Sequence, residues 1–170
     1  MTLGRIVLLA ALVLPSLGCG SKEFTVPEMY APLVSIVERP NYVLPETAIT
    51  TIGTTAYVVS LGDWLADHPE GSIAFNATLL HEQEHSKRQL SYGTLAWLAQ
   101  YVVDTGFMWA EEQRGWYLEL KALANSGQHL NVDAIAQILH DYKNLSGRMV
   151  SFPEAQIWVR DVLAGTWKPN

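Results

Sequence analysis

Residues 81–85 read His-Glu-Gln-Glu-His, two imidazoles four positions apart with a carboxylate directly after the first. Four residues of helix advance about 6 Å and turn about 400°, so both rings leave one face, roughly 40° apart, and can converge on one metal ion. Glu82 stands about 60° beyond His85 on that face, near enough to reach a metal-bound water without being a ligand. Zinc brings the pKa of such a water toward 7, and a carboxylate so placed can take its proton and deliver it to a leaving amine. Five His and eleven Glu in 170 residues would produce the pattern by chance in about 1% of chains.

The chemistry requires a helix, and the surroundings predict one. Ser72 is an N-cap, no Gly or Pro follows until Gly93, and apolar Ile73, Ala77 and Leu80 recur every three or four residues, which predicts a helix over 73–90. A second helical run covers 94–103 and ends at Gly106, and a third runs from about Met108 to Ala124 and ends at Gly127. Asn131 and Ser151 cap two shorter helices, the latter through the capping box Ser151, Phe152, Pro153, Glu154. Ahead of these, 48–59 is rich in Ile, Thr, Tyr and Val around Gly53 and reads as a hairpin or a bent strand pair, the only convincing β segment. The stretch holding Pro27, Pro32, Pro40 and Pro45 reads as extended chain with one short helix. The fold class is therefore α+β, mainly helical, with a small N-terminal hairpin or sheet packed on the helix that carries 81–85.

A catalytic zinc with three protein ligands needs one more side chain. Arg88 and Ser91 stand where a metzincin needs Gly and His, and no Gly-Thr-x-Asp pattern follows. A helix bearing Glu111 and Glu112 does follow, beginning 26 residues after His85 at Glu111. With these residues the chain resembles the gluzincins, the thermolysin-like clan of zinc peptidases, in which a glutamate one helix downstream completes the site. It looks closest to minimal bacterial zincins with a strand of the type Ala-Ile-Thr-Ile-Gly before the active helix, the place held here by Ala48, Ile49, Thr50, Thr51, Ile52, Gly53. The resemblance spans roughly 48–124 and implies a zincin-like domain, a Zn2+ cofactor and a peptide or protein substrate. In the clan the ligand glutamate is commonly followed three residues later by a small residue. Glu112 has Gly115 there, whereas Glu111 has Arg114, a cation with which it can pair. Met108, Trp116, Leu120 and Leu123 also follow the Glu112 side. The expected ligands are His81, His85 and Glu112, with Glu82 as general base. Trp116 occupies the position where larger members often place an Asp supporting a histidine.

Other polar residues have ordinary readings. Glu84 precedes Lys87 and Arg88 by three and four residues and is expected in a surface ion pair. His68, before Pro69, is expected to face solvent. His129, His140, Tyr142 and Arg148 are equal candidates for stabilising a tetrahedral oxyanion. Trp97, Trp109, Trp116 and Trp158 read as core, and the Thr residues of 48–59 can face a cleft where a peptide adds as a further strand.

Residues 1–18 read as an export signal, with Arg5 followed by apolar Ile6–Leu14, and 14–19 (Leu-Pro-Ser-Leu-Gly-Cys) resembles a bacterial lipobox. Acylation would account for Cys19, the single cysteine. The expected organisation is signal peptide 1–18, lipidated Cys19 and tether 19–31, and a metallopeptidase domain 32–170, exported and membrane-anchored. The formal charge of −6 becomes −7 without Arg5, and no Lys/Arg cluster suits a nucleic acid. The rival reading is a non-catalytic exported lipoprotein that binds metal or a protein partner.

Overall fold

The computed structural model describes residues 21–43 and 48–169. The leader, the lipobox and Cys19 lie outside the described residues.

Gly53, at φ 62°, turns the Ile/Thr/Tyr/Val segment back on itself. The result is the expected antiparallel hairpin of β3 (Ile49–Ile52) and β4 (Thr55–Val58), with Thr51 opposite Ala56. This hairpin is half of a four-stranded sheet. β1 (Glu23–Thr25) pairs antiparallel with β2 (Ser35–Glu38), β2 pairs parallel with β4, and the order β1-β2-β4-β3 leaves β3 at an edge. The proline-spaced segment thus supplies strand β2 as well as 3-10 turns at Glu28–Tyr30 and Pro40–Tyr42, where the sequence suggested only extended chain with one short helix, and β1 lies just ahead of Pro27. Strands of three and four residues are too short for alternation to betray them. The fold also begins before position 32: β1 is paired, and Val26 and Tyr30 are buried in the sheet-side core, so 23–31 are part of the domain rather than tether.

Six helices follow among the described residues. α1 (Leu61–Asp67) is capped by Ser60, buries Leu61 and Trp64 and stops at His68, where Pro69 disfavours continuation. α2 (Ile73–Tyr92) starts with the Ser72 hydroxyl accepting from Phe75 N and ends at Gly93, φ 94°. α3 (Thr94–Val103) ends at Asp104, whose side chain caps α4 (Thr105–Asn125). Gly106, expected to terminate the second helix, instead sits in the first turn of α4; the break is made by Asp104 accepting from Phe107 N at 2.9 Å. α5 (Val132–Asp141) and α6 (Phe152–Ala164) begin at Asn131 and at the Ser151/Glu154 capping box as the sequence indicates. A two-residue hairpin, β5 (Lys143–Asn144) and β6 (Gly147–Arg148), joins them. The architecture is α+β and mainly helical, with the small sheet packed on α2.

Two apolar clusters flank α2. One joins the sheet and α1 around Ile36, Val58, Trp64, Phe75 and Leu79. The other joins α3, α4, α5 and α6 around Trp97, Trp116, Leu120, Leu139 and Trp158. The first half of α2 feeds the sheet-side cluster through Phe75 and Leu79; of the expected stripe, Ala77 is fully buried and Leu80 packs half-buried against that cluster, while Ile73 is 41% exposed. The second half is buried and polar: His81, Glu82, Gln83, His85, Ser86 and Gln89. A helix enclosed on several sides has no solvated face to alternate against, and its buried polar groups need specific partners.

Candidate metal centre

His81 Nε2 lies 2.9 Å from His85 Nε2, His85 Nε2 lies 3.2 Å from Glu112 Oε1, and His81 Nε2 lies 3.6 Å from Glu112 Oε2. Ligand atoms around a tetrahedral ion with bonds of about 2.0–2.1 Å are separated by roughly 3.3 Å; the contacts are near that value, the two imidazoles meeting different oxygens of the Glu112 carboxylate, and one donor atom from each residue lies within 4.8 Å of the others. All three residues are buried, and together they can hold a metal ion. The donor set fits a cation on a second count. Glu112 Oε2 is buried with no hydrogen-bond partner among the described residues, a state that costs free energy unless a positive charge answers it.

Two helices bring these groups together. α2 projects both imidazoles toward α4, and α4 can approach because position 115 has no side chain: a Cβ there would stand 2.5 Å from His81 Nε2 and 2.9 Å from its Cγ. Glu112 faces the histidines, with Met108, Trp116 and Leu120 buried on its side of α4. Glu111 turns away. The Arg88 guanidinium, expected beside Glu84, reaches across from α2 and donates to both Glu111 oxygens, at 2.7 and 3.1 Å. That forked pair joins the two helices next to the site.

No family model, curated protein or solved structure matches this chain.

Around the three ligands stand groups that motif spacing did not single out. His81 Nδ1 is bonded to Glu119 Oε2 at 2.8 Å, fixing which nitrogen points at the site. Glu119 is seven residues after Glu112, two helical turns on and about 20° from the same line, so it supplies the support that Trp116, at the fourth position, does not. Tyr101 on α3 donates to Glu112 Oε1 at 2.6 Å. Its ring stacks on Trp97 with centroids 4.6 Å apart, and both rings stand edge-on to His85. Trp116 does the same for His81. The tryptophans are core, as expected, and three of their rings or neighbours also wall the histidines.

Glu82 is buried and accepts a hydrogen bond of 2.6 Å from the Thr51 hydroxyl on β3. β3 is itself fixed to α2. The fully buried Gln89 amide donates to Thr51 O at 2.8 Å and accepts from Gly53 N at 2.8 Å. Gln83 donates to the carbonyls of Met29 and Ala31, tying α2 to the turn after β1.

The buried carboxylates and imidazoles shift one another's titration. Burial disfavours ionisation of Glu112, but the charge of His85 and the hydrogen bonds of His81 and His85 outweigh it and hold the carboxyl well below its ordinary range. Burial likewise opposes a charged His81, yet the hydrogen bonds of Glu112 and Glu119 and the nearby carboxylates raise its pKa well above the ordinary imidazole value. Burial, reinforced by Glu112, keeps the Tyr101 phenol protonated.

The remaining candidates separate clearly. His129 is exposed; His140 Nδ1 is within 3.1 Å of Val150 O, and Arg148 is spent on His140 O and Asp141. Tyr142 differs from these: burial raises its pKa first, and Glu112, Glu82 and Glu119 raise it further, so its hydroxyl senses the site. His68 is half-buried rather than solvent-facing, stacked on Trp64 and bonded through Nδ1 to Trp64 O.

Proposed function

We propose that the protein is a zinc metallopeptidase of gluzincin type, with His81, His85 and Glu112 as ligands and Glu82 as general base. The observation that carries this reading is the convergence of two Nε2 atoms and a buried, otherwise unpartnered carboxylate oxygen beside a separate buried carboxylate. When bound, zinc supplies a water of near-neutral pKa and polarises the scissile carbonyl. Glu82 takes the proton of the attacking water and returns it to the departing amine, and the Thr51 hydroxyl keeps that carboxylate aimed. Tyr142 is taken as the oxyanion donor, because Glu112 and Glu82 act on its phenol. A peptide adds as a strand beside β3. Gln89 already occupies Thr51 O and Gly53 N, so the added strand uses the Ile49 end.

The same proposal places the protein outside the cytoplasm, anchored through acylated Cys19. Mass spectrometry of the N-terminal peptide from the membrane fraction tests this; an unmodified thiol on soluble protein would refute it.

The test of function is the pair wild type and Glu82→Gln. Both should carry about one zinc per chain, while hydrolysis of a peptide library falls by roughly 10² or more in the variant. Equal hydrolysis by both would remove Glu82 from the mechanism. Bound zinc without hydrolysis in either would favour the non-catalytic lipoprotein.

A further inference from the structure

Glu112 has two carboxylate oxygens in different situations. Oε1 accepts the 2.6 Å hydrogen bond of the buried Tyr101 hydroxyl and lies 3.2 Å from His85 Nε2, while Oε2 has no hydrogen-bond partner among the described residues and lies 3.6 Å from His81 Nε2. A short hydrogen bond to a carboxylate is charge-assisted and strong, and it directs lone-pair density of that oxygen away from any other acceptor of it. A carboxylate with both oxygens free can bind an ion through both, filling two positions, whereas a hydrolytic three-ligand centre needs one position open.

We infer that Tyr101 is a positioning residue that reserves Glu112 Oε1, so that Glu112 offers the metal a single oxygen and the remaining position stays open. This rests on the metal-centre reading above. The phenol is well placed for such a role because its position is over-determined. Its ring is clamped in the stack with Trp97. The backbone around it is held from outside α3: Tyr101 O accepts from Asn144 Nδ2 at 3.0 Å, and Val102 O accepts from Leu145 N at 3.0 Å. The β5–β6 hairpin, remote from the ligands in sequence, thus fixes the helix that fixes Glu112.

The test loads Co2+ into the wild type, Tyr101→Phe and Tyr117→Phe, and compares visible absorption, zinc affinity and, on peptides, kcat and KM. Wild-type cobalt should show the intense bands of four-coordination. Tyr101→Phe should retain one ion per chain with bands several-fold weaker, as a fifth bond forms through Oε1, and kcat should drop roughly 10- to 100-fold with KM little changed. Tyr117→Phe, which removes a hydroxyl from α4 where the ring packs on Trp167, should keep the wild-type spectrum. An unchanged Tyr101→Phe spectrum, or a Tyr117→Phe spectrum altered in the same way, would overturn the inference and leave the metal centre standing. Five-coordinate cobalt in the wild type would also overturn it, whether or not the variants fold. Failure of the wild type to bind Co2+ would instead overturn the metal centre itself.

Discussion

The imidazole of His81 occupies the space that a β-carbon at position 115 would need, with Nε2 2.5 Å and Cγ 2.9 Å from it. Gly115 is therefore required by a side chain of the site rather than by its own backbone, since it lies within α4 and outside the positive-φ glycines. Gly115→Ala must displace the His81 ring or separate α2 from α4, at about 1–3 kcal/mol of overpacking strain. Metal affinity should fall at least tenfold by chelator competition. Gly62→Ala, where the added carbon meets nothing within 4 Å, should leave it unchanged.

Neighbouring glutamates on α4 should respond in opposite ways. Glu112→Ala removes a ligand, so metal affinity should drop by orders of magnitude while the protein stays folded. Glu111→Ala should keep the metal and lose stability, because it strips Arg88 of a partner that is 2% exposed. Arg88 keeps 32% of its side chain in solvent, which limits the loss to about 1–3 kcal/mol. Urea unfolding beside metal titration separates the two; metal loss in Glu111→Ala alone would reassign the ligand.

What could be read from the sequence was whatever local chemistry determines. Ser72, Asn131 and Ser151 announced their helices because a cap is decided within four residues, and 81–85 announced the paired imidazoles because helical geometry alone aligns them. The Glu112 choice was legible through Gly115, a close approach written as a missing side chain. Long-range pairings were not. Arg88 seeks Glu111 rather than Glu84, and Gln89 binds β3 backbone 38 and 36 positions away, choices that depend on how α2, α4 and the sheet meet. β1 and β2 escaped for the same reason, since three or four residues become strands only by pairing. Glu119 was within reach: seven residues is two turns, so it shares the face of Glu112.

Thr51 joins the sheet to the chemistry through one hydrogen bond, and removing it tests whether Glu82 needs aiming. Thr51→Val keeps the shape and deletes the donor, leaving Glu82 buried with one bond fewer. Zinc content should remain at the wild-type level, while kcat for peptide hydrolysis should fall about tenfold with KM little changed. An unchanged kcat would show that Thr51 serves only the strand.

Protons and metal compete for His81, and the direction of that competition follows from its neighbours. In the metal-free protein the hydrogen bonds of Glu112 and Glu119 raise the His81 pKa well above 6.5, while Glu112 stays ionised. The charged imidazole therefore stabilises the metal-free fold fully below pH 6.5, and that contribution is lost as pH rises through the higher folded value. A metal ligand must be neutral, so metal uptake expels this proton, and apparent affinity should rise about tenfold per pH unit until the folded pKa is passed, then level off. Glu119→Gln removes one of the two raising hydrogen bonds and loosens the ring. The plateau should then begin at lower pH, and the plateau affinity should be about 10- to 100-fold weaker. Chelator competition from about pH 6 to about pH 9 measures both quantities. A flat profile in the wild type would mean that His81 is already neutral before the metal arrives; a plateau that Glu119→Gln does not move would mean that Glu119 orients the ring without holding its proton.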